Sequence, residues 1–171
     1  MLEEFLASKV SVKILLFFME NPKSTFSEKE VRKRLKIARG SVIKWLQVFV
    51  NKGFLFKTQG GKLNIYSLNS ENPIVKQLKI LNTISKLLPN FEAFKNEAEI
   101  YLYGSASRGE DTEGSDIDVL VIGKSREIIA RMRAVSNKIK VSFFTPLEWA
   151  KAAKEDPAFY ERVEKDRIRL L

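Results

Sequence analysis

The sequence contains no cysteine and no histidine among its 171 residues. The absence of cysteine excludes disulfides, thiolate metal ligands and thiol nucleophiles. The absence of histidine excludes a serine–histidine–aspartate triad, a zinc site of the His-Glu-x-x-His type and imidazole as a general base. Any catalysis would therefore depend on carboxylates, lysine, arginine, tyrosine or hydroxyl groups, and any bound metal would be a hard cation with oxygen ligands.

Long apolar stretches are absent as well. The longest run, Ile14 to Met19, is far too short to cross a bilayer, so we predict no membrane association. The N-terminus lacks a basic segment followed by an apolar one, which argues against a signal peptide and favours a cytoplasmic location. The hydrophobic fraction of 44% is ordinary for a globular protein with a core of its own.

Positive charge is concentrated in one half of the chain, whose net charge is +9. Residues 1–73 contain 13 lysine or arginine residues against 6 acidic ones, whereas residues 96–171 contain 13 against 14. This asymmetry favours an anionic partner for the N-terminal half, and nucleic acid before a membrane surface. The alternative is a lysine-rich surface that only contacts water.

The N-terminal half has the pattern of three helices followed by a hairpin. Ser27 and Glu30 have the spacing of a capping box, which would begin the second helix, and Gly53 is placed to end the third. Apolar residues at three- and four-residue intervals define the helices, and a Gly60-Gly61 turn separates two extended runs. The predicted elements are helices over Ser8–Glu20, Ser27–Lys36 and 39–52, and strands over Phe54–Lys57 and Leu63–Leu68.

This order of elements resembles a winged helix-turn-helix DNA-binding domain over residues 8–70. The resemblance implies that the third helix enters the major groove and that the hairpin is a wing over the DNA backbone. The polar residues that face away from the apolar stripe of the third helix, and the lysines beside the hairpin turn, are then the expected DNA contacts. They are Arg39, Ser41, Lys44, Gln47, Lys57 and Lys62. The alternatives are a surface that only contacts water and a module that pairs proteins.

An amphipathic helix is predicted to connect the two halves, over residues 73–89 between Asn72-Pro73 and Pro89. Its apolar residues recur at helical spacing from Ile74 to Leu88. The helix could pack within its own chain or against a second copy. Because helix-turn-helix proteins often bind two half-sites as dimers, we favour a homodimer.

The C-terminal half has the pattern of a small α/β unit. A strand over Glu99–Tyr103 leads directly into Gly104-Ser105, and a second strand over Ile117–Ile122 follows Asp116. A helix over 125–137, a strand over 138–144 and further helices from Pro146 complete the pattern.

The chemistry of this half lies where the first two strands meet. Side chains alternate along a strand, so Asp116 and Asp118 should point the same way and together could hold Mg²⁺ with substrate phosphates. Gly104 lets the backbone approach a phosphate, the Ser105 hydroxyl can bind it, and Arg108 adds positive charge.

The segment from Gly104 to Asp118 resembles the nucleotidyltransferase superfamily that includes DNA polymerase β, and most closely its minimal members. The family pattern is Gly-Ser, ten residues, then Asp-x-Asp, and ten residues separate Ser105 from Asp116 here. The resemblance covers residues 90–145 and implies Mg²⁺, a nucleoside triphosphate such as ATP, and nucleotidyl transfer to a hydroxyl. The predicted protein therefore has two domains of α+β or α/β class: a winged helix domain (1–72), a connecting helix (73–89) and a nucleotidyltransferase-like domain (90–171).

Two family features have no counterpart in this sequence. One is a frequent arginine just after Gly-Ser, where Ala106 stands here, and the other is a third carboxylate. Catalytically complete members supply a third carboxylate from the next strand, where Lys140 and Ser142 stand here; Glu148 is expected to cap a helix instead. Two hypotheses therefore stay open. The domain is an active transferase on a DNA-binding protein, or it is a degenerate domain of a transcription regulator that binds nucleotide or a helical toxin-like protein.

Overall fold

A computed structural model describes residues 3 and 6–171. The chain divides into two compact units, Met1–Val75 and Lys76–Leu171. The described part has mixed α+β structure, with two sheets and seven α-helices. None of these helices is long and apolar enough to cross a membrane.

Two helix ends of the first unit lie where capping residues predict them, at the start of the second helix and at the end of the third. Ser27 accepts from the backbone N–H of Glu30, whose carboxylate accepts in return from Ser27, so the predicted capping box is confirmed. Gly53, with φ of 71°, follows the third helix. Glycine can end a helix in this left-handed conformation at low steric cost because it has no Cβ atom. The helices are α1 (Lys9–Glu20), α2 (Glu28–Leu35) and α3 (Arg39–Asn51).

The sheet of the first unit contains the predicted hairpin and one strand that was not predicted. Strands β2 (Leu55–Gly60) and β3 (Leu63–Leu68) form the antiparallel hairpin. The short strand β1 (Thr25–Ser27) pairs with the other edge of β3, which gives the order β1-β3-β2. Three residues are too few to show the period-two alternation by which a strand is recognised in sequence.

The core of the first unit is formed by the apolar faces of its helices and by the start of the hairpin. Ile14 and Phe18 of α1, Leu46 and Phe49 of α3, and Phe54 are all at most 1% exposed. The Phe49 and Phe54 rings stack at 6.0 Å between centroids. Burial of each such side chain contributes roughly 1.5–3 kcal/mol to the stability of the fold. This burial holds α3 against the core, so its polar face points outward.

The helix α4 (Pro73–Phe91) extends two residues beyond its predicted end at Pro89. Proline removes only one helical hydrogen bond so close to the terminus, and Leu87 and Phe91 are buried in the core of the second unit. The C-terminal half of α4 therefore packs within its own chain. A homodimer stays a prediction.

The second unit contains a four-stranded mixed sheet. Its strand order is β6-β5-β4-β7, with β4 antiparallel to both of its neighbours and β5 parallel to β6. The two-residue edge strand β7 was not predicted. The strands are β4 (Ala98–Tyr103), β5 (Ile117–Gly123), β6 (Ile139–Phe144) and β7 (Ile168–Arg169), and the helices are α5 (Glu127–Val135), α6 (Pro146–Glu155) and α7 (Pro157–Asp166).

The two faces of this sheet bury different residues. Ile100, Leu102, Val119 and Val121 pack on one face, with residues of α4 and α5. Tyr101, Tyr103 and Leu120 pack on the other, with residues of α6 and α7. Alternation along β5 places Asp118 on the second face, together with Leu120. This face carries the candidate site.

Candidate functional site

The loop after β4 is a tight turn with two left-handed glycines. Gly104 has φ of 76° and Gly109 has φ of 69°, and a short 3₁₀ turn, Ala106–Arg108, lies between them. The buried Ser107 hydroxyl donates to the Gly104 carbonyl at 2.8 Å. The Ser105 hydroxyl and the Ser105 and Ala106 N–H groups have no hydrogen-bond partner within the described part of the chain. They are thus available to an anion.

Gly104 and Asp118 lie in direct contact. A Cβ atom built on Gly104 would be 2.6 Å from the Asp118 Oδ2 atom, so no other residue fits without moving the carboxylate. The reason is the strand register, in which Tyr103, the last residue of β4, pairs with Asp118. The structure therefore brings together two of the site residues that the sequence predicted.

Asp118 and Asp116 differ in their surroundings. Asp118 is partly buried, and Lys140 is its neighbour on the parallel strand β6. Asp116 is more exposed and lies 3.7 Å from the Lys140 Nζ atom. Burial raises the pKa of Asp118 above its usual range and the charge of Asp116 adds to this, while Lys140 and Arg162 act in the opposite direction.

Tyr103 and Ser142 lie on the same face of the sheet as Asp118, and they were not predicted as site residues. The Tyr103 hydroxyl and the Ser142 Oγ atom lie 2.9 Å apart. Burial raises the pKa of Tyr103, and the hydrogen bond with Ser142 opposes that rise. Aromatic residues that alternate with aliphatic ones along β4 indicate a buried strand, and nothing in this pattern marked Tyr103 as a neighbour of Asp118.

The second half of the loop is held against helix α4. A side chain at Gly109 would collide with the backbone of Lys76, so the loop and the helix are in close contact there. Lys79, whose side chain is 4% exposed, lies 3.1 Å from the Asp111 carboxylate and also donates to the Asp111 carbonyl. These contacts fix the loop from Gly109 to Asp111.

Arg108, predicted to bind phosphate, is placed between two carboxylates. Its Nε atom donates to Glu110 at 2.8 Å and its Nη1 atom donates to Asp166 at 2.5 Å. These hydrogen bonds raise the pKa of the guanidinium. Because both carboxylates offset its charge, its role in nucleotide binding stays a prediction.

The site contains two carboxylates rather than three. No group of three or more acidic residues that could hold a metal occurs in the described part of the chain. Glu148, the nearest later acid, accepts from the backbone of Thr145 in a capping box, as predicted. Two carboxylates beside a loop with free N–H groups fit Mg²⁺ that is completed by substrate phosphates and water, the usual manner of binding for this ion.

The predicted DNA contacts lie on the surface of the first unit. Arg39, Lys44, Gln47, Lys57 and Lys62 are exposed, and Ser41 is partly buried. A cavity of about 340 Å³ is lined by α2, α3 and the hairpin, with Arg39 and Lys62 among its residues. Lys29 and Arg32 of α2 line it as well, although the sequence analysis did not select them.

The solved structures that the chain resembles include the three that follow, whereas no curated protein matches the chain. A possible transcriptional regulator from Methanosarcina mazei Go1 is 18% identical, with 56% of this chain and 86% of that chain covered and a TM-score of 0.39. A candidate nucleotidyltransferase from Sulfolobus solfataricus is 20% identical, with 56% and 82% covered and a TM-score of 0.33. Pseudomonas aeruginosa HmgR is 15% identical, with 94% and 66% covered and a TM-score of 0.36.

All three TM-scores are too low to carry a functional argument, so the assignment rests on the family match. The family model of the nucleotidyltransferase domain matches residues 81–170, which is more than half of the chain and contains the Gly104 loop and both aspartates. The chain therefore belongs to the nucleotidyltransferase domain family.

Proposed function

We propose that this chain is a DNA-binding protein whose C-terminal domain binds a nucleoside triphosphate, ATP in the first instance, together with Mg²⁺. The reaction that we propose is transfer of the nucleotidyl group to a hydroxyl acceptor: the acceptor oxygen bonds to the α-phosphorus, the bond to the β-phosphate breaks, and pyrophosphate and the hydroxyl proton are released. The single observation that carries this proposal is the contact between Gly104 and Asp118, because it joins the phosphate loop to the carboxylate pair.

Each residue of the site has a separate part in this proposal. Gly104 lets the backbone approach the triphosphate, and Ser105 donates from its hydroxyl and its N–H group. Asp116 and Asp118 would hold Mg²⁺. When bound, Mg²⁺ supplies positive charge that offsets the charge of the phosphates and of the leaving group. Burial makes an ionised Asp118 unfavourable, so a cation beside it would favour the charged form.

The test of the C-terminal domain is ATP binding and label transfer. The purified chain is incubated with α-labelled ATP, Mg²⁺ and candidate hydroxyl acceptors, and compared with Asp116→Ala and Asp118→Ala. Both variants should lose transfer, and they should bind ATP in Mg²⁺ more weakly. Glu113→Ala is the matched control, since Glu113 is an exposed acid of the same loop. Transfer that survives both aspartate substitutions would refute this site.

For the first unit we propose a winged helix-turn-helix that binds DNA. Three helices are followed by a hairpin, and α3 turns its polar face outward. Basic residues from α2, α3 and the hairpin line one cavity, which suits a phosphate backbone. Arg39, Ser41, Lys44 and Gln47 would contact the groove, and Lys57 and Lys62 would contact phosphates. Binding to duplex DNA that weakens steeply with salt is the expected behaviour.

A second function is favoured by Lys140, which lies beside Asp116 on the strand where a third acid would be needed. On this proposal the domain binds nucleotide without turnover and regulates transcription through the DNA-binding unit. DNA affinity measured with and without ATP and Mg²⁺ tests this: regulation requires a change, and an unchanged affinity in a chain that binds ATP excludes it.

A further inference from the structure

Lys140 places a positive charge beside the two carboxylates of the site. It is the register partner of Asp118 on the neighbouring parallel strand, and its Nζ atom lies 3.7 Å from Asp116. Its side chain is 69% exposed. At this exposure the ammonium group can rotate away from Asp116 at small cost, because exposed ion pairs contribute little to stability.

Arg162, on α7, is a second cation on the same face of the sheet. Its guanidinium lies 5.4 Å from the centre of the Phe159 ring. That ring packs edge-on against Tyr103, which is itself the strand partner of Asp118. Within the described residues Arg162 forms no ion pair with a carboxylate.

Arg108, by contrast, already donates to two carboxylates, which offset its charge. Two of its five N–H donors are used in its hydrogen bonds to Glu110 and to Asp166, whose side chain is 13% exposed. The charge of the basic residue in the sequence motif is thus offset within the fold, so further positive charge for a ligand would come from other residues.

A nucleoside triphosphate carries several negative charges, and two carboxylates at the site would repel it. We propose that Lys140 and Arg162 form a resident cation pair that binds the phosphate oxygens of the nucleotide directly, so that binding does not depend on metal alone. This inference rests on the proposed function. It also assigns a role to Lys140, which stands where the family has a metal-binding acid. A protonated lysine cannot ligate a cation, but it can donate a hydrogen bond to phosphate.

The experiment measures the affinity of the full chain for ATP by calorimetry, in Mg²⁺ and in EDTA. Lys140→Ala and Arg162→Ala should each weaken binding roughly tenfold in Mg²⁺, since each removes one charge-assisted contact. Lys140→Arg and Arg162→Lys should keep most of the affinity. In EDTA the unaltered chain should still bind ATP, and the double alanine variant should not.

Two matched controls are available in the same unit. Lys124 is exposed just beyond the far end of β5, and Arg133 is exposed on α5, which packs on the opposite face of the sheet. Lys124→Ala and Arg133→Ala should bind ATP as the unaltered chain does. Thermal unfolding of every variant separates lost contacts from lost structure.

The outcomes distinguish this inference from the function on which it rests. If the unaltered chain does not bind ATP in Mg²⁺, the proposed function fails. If it binds, and either alanine variant binds equally well, the role of that residue is overturned. Binding that occurs in Mg²⁺ but vanishes in EDTA would overturn the cation pair as a phosphate site independent of metal.

Discussion

Replacement of Gly104 by alanine tests the geometry of the whole site. Alanine at φ of 76° is disfavoured by about 1–2 kcal/mol relative to glycine. In addition, its Cβ would stand 2.6 Å from the Asp118 Oδ2 atom, so the carboxylate must move. We expect a loss of about 2 kcal/mol in the free energy of unfolding, which lowers the Tm by roughly 4–8 °C in a chain of this size. We also expect weaker ATP binding in Mg²⁺, because Asp118 is displaced.

Two measurements and one control make this test decisive. Urea unfolding gives the stability change, and calorimetry with ATP and Mg²⁺ gives the affinity. Gly114→Ala is the control, since Gly114 lies between the same two strands and a Cβ there meets nothing within 4 Å. It should change neither quantity. A Gly104→Ala chain that unfolds and binds ATP like the unaltered one would refute the contact with Asp118.

Three further predictions concern other parts of the chain. Asp118→Asn should stabilise the nucleotide-free protein at neutral pH, because burial raises the pKa of this carboxyl in the folded state and so penalises its ionised form. Urea unfolding should show the gain in stability at neutral pH. The gain should vanish as the pH falls below the pKa that the Asp118 carboxyl has in the unfolded chain. An equal or lower stability at neutral pH would contradict it. Arg39→Ala combined with Lys44→Ala should weaken binding to duplex DNA and reduce its salt dependence, measured by fluorescence anisotropy; unchanged binding would show that α3 does not face the DNA. Ser27→Ala should lower the free energy of unfolding by about 1 kcal/mol through loss of the capping box, as checked by urea unfolding, and no change would mean that the cap contributes nothing.

Features that depend on neighbours in sequence were predictable. The capping boxes at Ser27 and Thr145 require residues only three positions apart, and both are present. The hairpin between β2 and β3 follows from two extended runs around glycines. The Gly104 loop and Asp118 have a fixed spacing on adjacent strands, so their side-by-side placement could be inferred before any coordinates.

Features that depend on distant residues were not predictable in this way. Arg108 pairs with Asp166, 58 positions away, and no local pattern indicates that contact. Arg162 reaches the neighbourhood of Asp118 only because α7 packs on the same face of the sheet. The strands β1 and β7 have three and two residues, so their pairing is set by the edges of the sheets to which they add.

The buried contact between Lys79 and Asp111 has a consequence for where this protein tolerates extra sequence. It divides the spacer between Ser105 and Asp116 into a part pinned to α4, up to Asp111, and a short outer turn closed by the hydrogen bond from the Thr112 N–H to Ser115. An epitope tag or fluorophore peptide inserted after Glu113 should therefore leave the loop from Gly104 to Gly109 in place. The same peptide inserted between Gly109 and Asp111 should release it.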